Sequence, residues 1–337
     1  MKVDLLVDFA AFWTRLAEDI RAAERQVLVQ TFSFEGDCIG KALAHALVGS
    51  GAQDKRILVD SFSRLVLSDR FLFAPGNWFN AELCEEQRET KRLHASLCGN
   101  GIQVKYGNPF GPTPRRFLTR NHKKLVVIDD RISYIGGMNF SEHNAAWHDL
   151  MLRIENEDVA VFFCEDFIAS WEGQNSGRTK GFDGLGLSTL DGRSNSVAFR
   201  KVLDLIDGAR KSVFIVSPYV TFPFYEHLRD ARRRGVPVTI VTPKSNNWSC
   251  FADYAKWESA RCGIDLRLYQ KGMSHLKAML VDDECLVVGS SNFDLLSYRL
   301  YQEILAIVTD SDVITAFREQ VLAEDLRNSE GVDEQTA

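Results

Sequence analysis

The residues best suited to chemistry occur twice. His122, Lys124 and Asp129 stand at fixed offsets in NHKKLVVIDDRISYIGGMN, followed by a Gly136-Gly137 pair and Asn139. His275, Lys277 and Asp282 repeat those offsets about 150 residues later in SHLKAMLVDDECLVVGSSN, followed by Gly289, Ser290 and Asn292. Lys supplies a point charge for phosphate oxygens, and Asn supplies an amide N–H. His is the side chain best placed to act as nucleophile or general acid near neutral pH. Together they suit a phosphoryl group. Two copies supply two His, so one can attack phosphorus while the other protonates the leaving oxygen. Lys124, Lys277, Asn139 and Asn292 would then stabilise charge on the equatorial oxygens. No acidic cluster for Mg²⁺ accompanies either copy, so the expected mechanism uses no metal and no cofactor.

A nucleophilic imidazole needs a carboxylate on its other ring nitrogen. Asp149, 27 residues after His122, and Glu303, 28 residues after His275, both lead into apolar runs and are the expected orienters. Asp129 and Asp282 fall where the hairpin must turn and are expected to be structural. Two matching copies, each with small residues and Asn at the same offset, are hard to attribute to chance. Other histidines carry less. His45, His94 and His227 lie in helical stretches and read as solvated, whereas His143 and His148 flank the first copy. PRRFLTRNHKK, at 114–124, reads as a basic rim for anionic headgroups.

The elements that must position these residues repeat as well. AFWTRLAEDIRAAE at 11–24 and VAFRKVLDLIDGA at 197–209 have apolar residues at helical spacing. Each precedes a β-branched run, RQVLVQTFSF or RKSVFIVSPYV, then a helix, a short strand (RILVDS or VPVTIVT), another strand (GIQVKY or GIDLRLY) and the motif hairpin. Alternating strands and helices predict an α/β fold with two repeats, each a mostly parallel or mixed sheet flanked by helices. The expected bounds are 1–171 for the first repeat, with an insertion at about 63–97, and 197–327 for the second. The Gly-, Ser- and Asn-rich stretch 172–196 reads as a linker or active-site loop. The tail 328–337 reads as frayed.

Bulk properties narrow the function. The chain has 337 residues, enough for two domains, and a formal net charge of −6. That acidity disfavours a non-specific nucleic-acid protein. Seven Cys without a CxxC pair read as reduced, buried thiols rather than a zinc site. The N-terminus lacks the pattern of a signal peptide, and no apolar run is long enough to span a bilayer. RFLFAPGNWF at 70–79 could dip into a membrane interface through Phe71, Phe73, Trp78 and Phe79, or pack against a following helix at about 80–97.

Both copies resemble the signature of the phospholipase D superfamily, HxKxxxxD followed by six residues and G-G/S-x-N, and the match covers most of the chain. The resemblance implies two α/β repeats packed face to face with pseudo-twofold symmetry and the active site at their junction. It also implies a phosphohistidine intermediate on His122, with His275 as acid/base. GGMNFSEHNAAWHDLMLRIE is similar to bacterial cardiolipin synthases, whose W-x-D-x-x-x-R element corresponds to Trp147, Asp149 and Arg153. SSNFDLLSYRLYQE is similar to the family's S-x-N-x-D-x-R-S…N-x-E, keeping Ser297 and Glu303 but placing Leu296 where Arg is typical and Tyr301 where Asn is typical. Gly137, Ser290, Ser297 and Trp147 are expected to contact substrate.

The resemblance implies a phosphatidyltransferase acting on phospholipid phosphodiesters, with a phospholipase D hydrolase as the alternative and a nuclease of the same superfamily third. An inert binding module is disfavoured by the intact motifs. The expected setting is cytoplasmic, peripheral to the inner leaflet, with a phospholipid substrate, no nucleic-acid partner, and a monomer sufficient for catalysis because both motifs lie in one chain.

Overall fold

A computed structural model describes residues 1–111, 113, 117–175 and 177–332. The chain divides into two compact units. One is Met1–Ala146 with Met151–Ser176, and the other is Trp147–Leu150 with Gly177–Ala337.

The first unit is built on a seven-stranded sheet. Its strands are β1 (Lys2–Val7), β2 (Gln26–Thr31), β3 (Asp54–Asp60), β4 (Gln103–Gly107), β5 (Leu125–Ile128), β6 (Ile132–Gly136) and β7 (Leu150–Glu155), in the order β1-β7-β6-β5-β2-β3-β4. β2, β3 and β4 run parallel, whereas β2 meets β5, β5 meets β6 and β6 meets β7 antiparallel. Helix α1 (Asp8–Ala22) buries Phe12, Leu16 and Ile20 at the predicted spacing. Helix α2 (Cys38–Gly49) starts where the Asp37 carboxylate accepts the N–H groups of Ile39 and Gly40. Phe12, Leu16, Val27, Val29 and Tyr134 share one core. Each such fully buried side chain contributes about 1.5–3 kcal/mol.

The second unit carries a nine-stranded sheet: β8 (Arg178–Phe182), β9 (Leu185–Thr189), β10 (Val213–Val216), β11 (Val238–Pro243), β12 (Asp265–Tyr269), β13 (Ala278–Val281), β14 (Cys285–Gly289), β15 (Ile304–Val308) and β16 (Ser329–Gly331). Their order is β8-β9-β15-β14-β13-β10-β11-β12-β16. β10, β11 and β12 run parallel, and the motif hairpin β13–β14 joins β10 antiparallel. The inner strand order thus repeats that of the first unit. Both sheets are mixed, within the expected class, because the motif hairpins add antiparallel pairs beside three parallel strands.

Three segments differ from expectation. The stretch 172–196 holds the hairpin β8–β9, which pairs along β15, because LGLST alternates and buries Leu185 and Leu187. Within 63–97, the helix α3 (Ala81–Gly99) has a counterpart in α7 (Ser249–Cys262) once α4 (Glu157–Trp171), α5 (Asn195–Gly208) and α6 (Phe224–Arg233) are numbered in order. The part without a counterpart is therefore about 61–80. The tail begins as β16, hydrogen-bonded to β12, with Val332 packed on the core; residues 333–337 lie outside the described residues.

The cysteines are free, but Cys38, Cys98 and Cys250 are exposed and only Cys262 is buried. Their helices turn those positions to solvent. His94 is not solvated: it stacks on Phe34 with ring centroids 5.1 Å apart and hydrogen-bonds the Tyr106 hydroxyl at 2.8 Å, and burial pushes its pKa down to about 4. No helix among the described residues is long and apolar enough to cross a membrane.

Candidate active site

Each motif hairpin turns at its acidic pair. Asp129, Asp130, Asp282 and Asp283 all adopt positive φ, a conformation that Asp tolerates better than most residues. The Asp129 carboxylate accepts the N–H groups of Glu24, Arg25 and Gln26 at 2.8–3.0 Å, fastening the turn to the start of β2. Asp282 does the same for Arg210, Lys211 and Ser212. Burial alone would raise both carboxyls; the three N–H donors outweigh it and hold them below the ordinary value.

The chemical residues lie at the opposite end of each hairpin. Pairing of Leu125 with Ile135 carries His122, Lys124 and Asn139 to the end away from the turn. The pairing of Ala278 with Val288 does so for His275, Lys277 and Asn292. The His and Lys residues precede their strands rather than starting them. Lys124 Nζ reaches back to the His122 carbonyl at 2.8 Å, and Lys277 Nζ donates to the His275 carbonyl. All four side chains are buried.

In the first unit, Thr31 Oγ1 donates to Asn139 Oδ1 at 3.2 Å, turning the amide N–H₂ outward from that contact. The His122 ring meets Phe32 edge to face at 5.2 Å. Charges around the motif are internally paired. Lys123 Nζ binds both Asp166 oxygens at 2.8 and 2.7 Å, and Arg120 pairs with Asp60 at 3.2 Å. Asp60 also accepts the Asn121 N–H at 2.7 Å. Two cations of the expected basic rim are thus consumed inside the fold, since buried charge requires a partner. Arg115 and Arg116 lie outside the described residues. Gly137 is buried after β6, and Arg153 is buried against Asp19 at 2.6 Å, tying β7 to α1.

The second unit supplies the sharper geometry. Residues 147–150 run beside 273–275: the His148 N–H donates to the Met273 carbonyl at 2.9 Å and the His275 N–H to the His148 carbonyl at 2.7 Å. That strap sets Asp149 Oδ2 2.7 Å from His275 Nδ1, both buried. Asp149 is thus hydrogen-bonded to the histidine of the second copy. With a carboxylate as its partner, Nδ1 carries the proton of that bond, which sets the tautomer of the neutral ring. Trp147 packs against the same imidazole, ring centroids 4.9 Å apart.

Burial would raise the Asp149 carboxyl, but Lys277, His275 and the Leu150 N–H hold it below the usual range. Burial pushes Lys277 down to about 8, against the attraction of Asp149, Glu303 and Asp294. Glu303 is fully buried and accepts from Ser290 Oγ at 2.5 Å and Ser297 Oγ at 3.1 Å. Both serines expected to contact substrate thus hold a carboxylate. Asp294 caps the helix Leu295–Arg299 through the Ser297 N–H at 2.7 Å, and burial pushes it up to about 6. Asn292 Oδ1 is buried and meets no hydrogen-bond partner among the described residues.

Gly289 has no alternative. A Cβ there would lie 2.1 Å from the Ile304 carbonyl oxygen. Leu296 is exposed on its helix, and the Tyr301 carbonyl accepts from Asn195 Nδ2 at 2.7 Å. That backbone bond is open to any residue, which accommodates Tyr where Asn is typical. No group of three His, Cys, Asp or Glu side chains is placed to hold a metal among the described residues.

Sequence reasoning did not name Lys123–Asp166, Arg120–Asp60, Asp294 or the serine pair on Glu303. The partners in the two ion pairs are far apart in the chain, and nothing local marks them.

Two mixed sheets, each carrying one such hairpin, define an α/β fold of the phospholipase D type. The phosphatidylserine synthase of Haemophilus influenzae Rd KW20 shares it, with a TM-score of 0.71 at 18% identity over 98% of this chain and 87% of that one. So does the polyphosphate kinase of Porphyromonas gingivalis, with a TM-score of 0.65 at 15% identity over 99% of this chain and 49% of that one. The family model described as cardiolipin synthase, PLD-like domain, matches residues 16–171 and 202–324, and the chain belongs to that family. It is an enzyme of the phospholipase D type.

Cardiolipin synthase 1 of Staphylococcus epidermidis is 25% identical over 359 residues, spanning 97% of this chain and 68% of its own length. The major cardiolipin synthase of Bacillus subtilis is 25% identical over 354 residues, spanning 95% and 69%. Cardiolipin synthase B of Escherichia coli is 26% identical over 353 residues, spanning 95% and 79%.

Proposed function

We propose that this chain is a phosphatidyltransferase of the cardiolipin synthase type, working through a covalent phosphohistidine without a metal. The observation that carries the reading is the buried Asp149–His275 pair beside Lys277. An imidazole with Nδ1 committed to a carboxylate offers Nε2 for proton transfer, and its cationic form is stabilised by that carboxylate. The relatives named above as cardiolipin synthases support the substrate class.

The proposed sequence has two displacements. His122 attacks the phosphorus of a phospholipid diester, and the bond from phosphorus to the headgroup oxygen breaks. The departing oxygen takes a proton from cationic His275. An acceptor hydroxyl then loses its proton to neutral His275 and attacks the phosphatidyl-histidine. The phosphorus–nitrogen bond breaks, and both histidines return to their starting states. Lys124, Lys277, Asn139 and Asn292 stabilise the phosphoryl oxygens. Asp149 orients His275. Glu303, fixed by Ser290 and Ser297, is the second carboxylate of the scheme and orients an imidazole, while Asp129 and Asp282 hold the hairpins. Gly137 and Trp147 shape the substrate environment. One chain contains every residue this scheme needs, and the reaction takes place at the membrane surface on the inner leaflet.

Incubation of purified protein with phosphatidylglycerol vesicles tests the proposal. Cardiolipin and glycerol are the expected products. Phosphatidic acid alone would assign the hydrolase, and cleavage of single-stranded DNA without lipid turnover would overturn both lipid readings.

A further inference from the structure

The first unit carries a row of phenylalanine rings that the mechanism does not use. It begins at the motif histidine, where Phe32 stands 5.2 Å from His122, with Lys124 Nζ 5.5 Å from the same Phe32 ring. Phe62 stacks on Phe32 at 6.0 Å, Phe117 meets Phe62 edge-on at 6.1 Å, and Phe110 stacks on Phe117 at 5.4 Å. Phe32 and Phe62 are half-buried, whereas Phe117 and Phe110 are 42% and 36% exposed. The outer end is braced by Arg120, whose guanidinium lies 4.8 Å from the Phe110 ring while it pairs with buried Asp60.

None of the four rings belongs to the apolar core of the unit. Single exposed apolar residues are ordinary, but a contiguous row running from solvent to a reactive side chain marks a ligand path. The inner end offers a cation and an imidazole for a phosphoryl group. The remainder offers only hydrocarbon edges. Nucleobases would stack on free ring faces along a basic groove. Here Phe32 and Phe62 lie within 28° of parallel, as do Phe110 and Phe117, so each pair shields part of its own faces, and Lys124 and Arg120 lie over the Phe32 and Phe110 rings. The nearby Arg120 is already paired. A flexible alkyl chain needs neither free faces nor free cations.

We propose that Phe32, Phe62, Phe117 and Phe110 form an acyl-chain subsite, seating one fatty-acyl chain of a glycerophospholipid whose phosphodiester is held at His122 and Lys124. The inference rests on the lipid reading above and adds the determinant of chain length. Substrate selection then has two parts, a phosphate grip common to many diesters and an apolar row that rewards a long chain.

The test compares kcat/KM for dioctanoyl- and dibutanoyl-phosphatidylglycerol, both below their micelle concentrations, so that membrane docking plays no part. The ratio is internal to each preparation and independent of the folded fraction. Wild type favours the longer chain, and Phe117→Ala and Phe62→Ala each cut that preference about tenfold. An unchanged ratio in both variants overturns the subsite. If wild type turns over neither lipid, the reading of function falls, and calorimetry with dioctanoyl phosphatidic acid decides the subsite alone. About tenfold weaker binding in Phe117→Ala upholds it. Equal binding, or binding of single-stranded DNA in place of lipid that is lost in Phe117→Ala, overturns it.

Discussion

Replacing Asp149 with Asn keeps the side chain's size and removes its charge, and two effects should follow. The bond at 2.7 Å to His275 Nδ1 is charge-assisted, a class worth about 1.5–3 kcal/mol. Losing that stabilisation from the cationic imidazole lowers kcat/KM about 10- to 150-fold. The second effect reaches Lys277, whose ammonium lies 4.0 Å from Asp149. At that separation the attraction is about 1 kcal/mol at the dielectric constant of water and about 4 kcal/mol at an effective value of about 20. A neighbouring anion favours charged Lys277, so its removal lowers the pKa. From about 8 in the wild type, the fall is about 1 to 3 pH units. The alkaline limb of the pH–rate profile, where Lys277 loses its proton, therefore moves toward neutral pH. The assay is kcat/KM for phosphatidylglycerol turnover across pH, with a thermal melt to normalise for folded protein. Wild-type activity with an unmoved alkaline limb in Asp149→Asn would refute the coupling. A loss of rate without a shift would refute the Lys277 part alone.

Four further outcomes are expected. Wild-type activity declines as pH rises through about 8, the value to which burial brings Lys277, and a limb near the ordinary lysine value would contradict this. Lys123→Met leaves Asp166 buried without its partner and lowers stability by about 3–5 kcal/mol in urea unfolding, with Lys123→Met/Asp166→Leu recovering most of it. Gly289→Ala drives a Cβ into the Ile304 carbonyl and destabilises the second unit by about 1–3 kcal/mol, read as a lower Tm. Asp282→Ala frees three N–H groups at the hairpin turn and lowers stability by about 1–2 kcal/mol after allowance for solvent screening. Because the folded-state pKa of Asp282 is depressed, its contribution is complete above the ordinary carboxylate value and is lost as pH falls through the folded value. A Tm difference between wild type and Asp282→Ala that persists in strong acid would argue against that origin.

The α/β class and the family were legible because both leave local marks. Phe12, Leu16 and Ile20 mark a helix by spacing alone, and LVVI and AMLV mark buried strands. The sequence left the sheets mostly parallel or mixed, because a hairpin between two apolar runs reads like any other strand pair until its partner is known. The strand character of 185–189 was hidden by glycine-rich flanks, although LGLST alternates. In the site, residue types and offsets are local and stand out. Partnerships are not local: near-equal spacing of Asp149 and Glu303 from their own motifs suggested orienters but not which histidine each serves. Asp149 lies beside His275 because the strap 147–150 pairs with 273–275, and that pairing has no signature in one sequence. Lys123 and Arg120 were read as a basic rim for the same reason. Their acidic partners lie in α4 and at the end of β3, where nothing in the surrounding residues announces a buried pair.

A covalent phosphohistidine is open to direct detection by peptide mass spectrometry after a rapid denaturing quench at alkaline pH. With short-chain phosphatidylglycerol, a phosphatidyl adduct is expected on the peptide containing His122. That adduct forms slowly in His275→Ala, whose first displacement lacks its acid, and persists there because the second lacks its base; it is absent in His122→Ala. An active enzyme that carries no adduct on His122 in either the wild type or His275→Ala would rule out the covalent route.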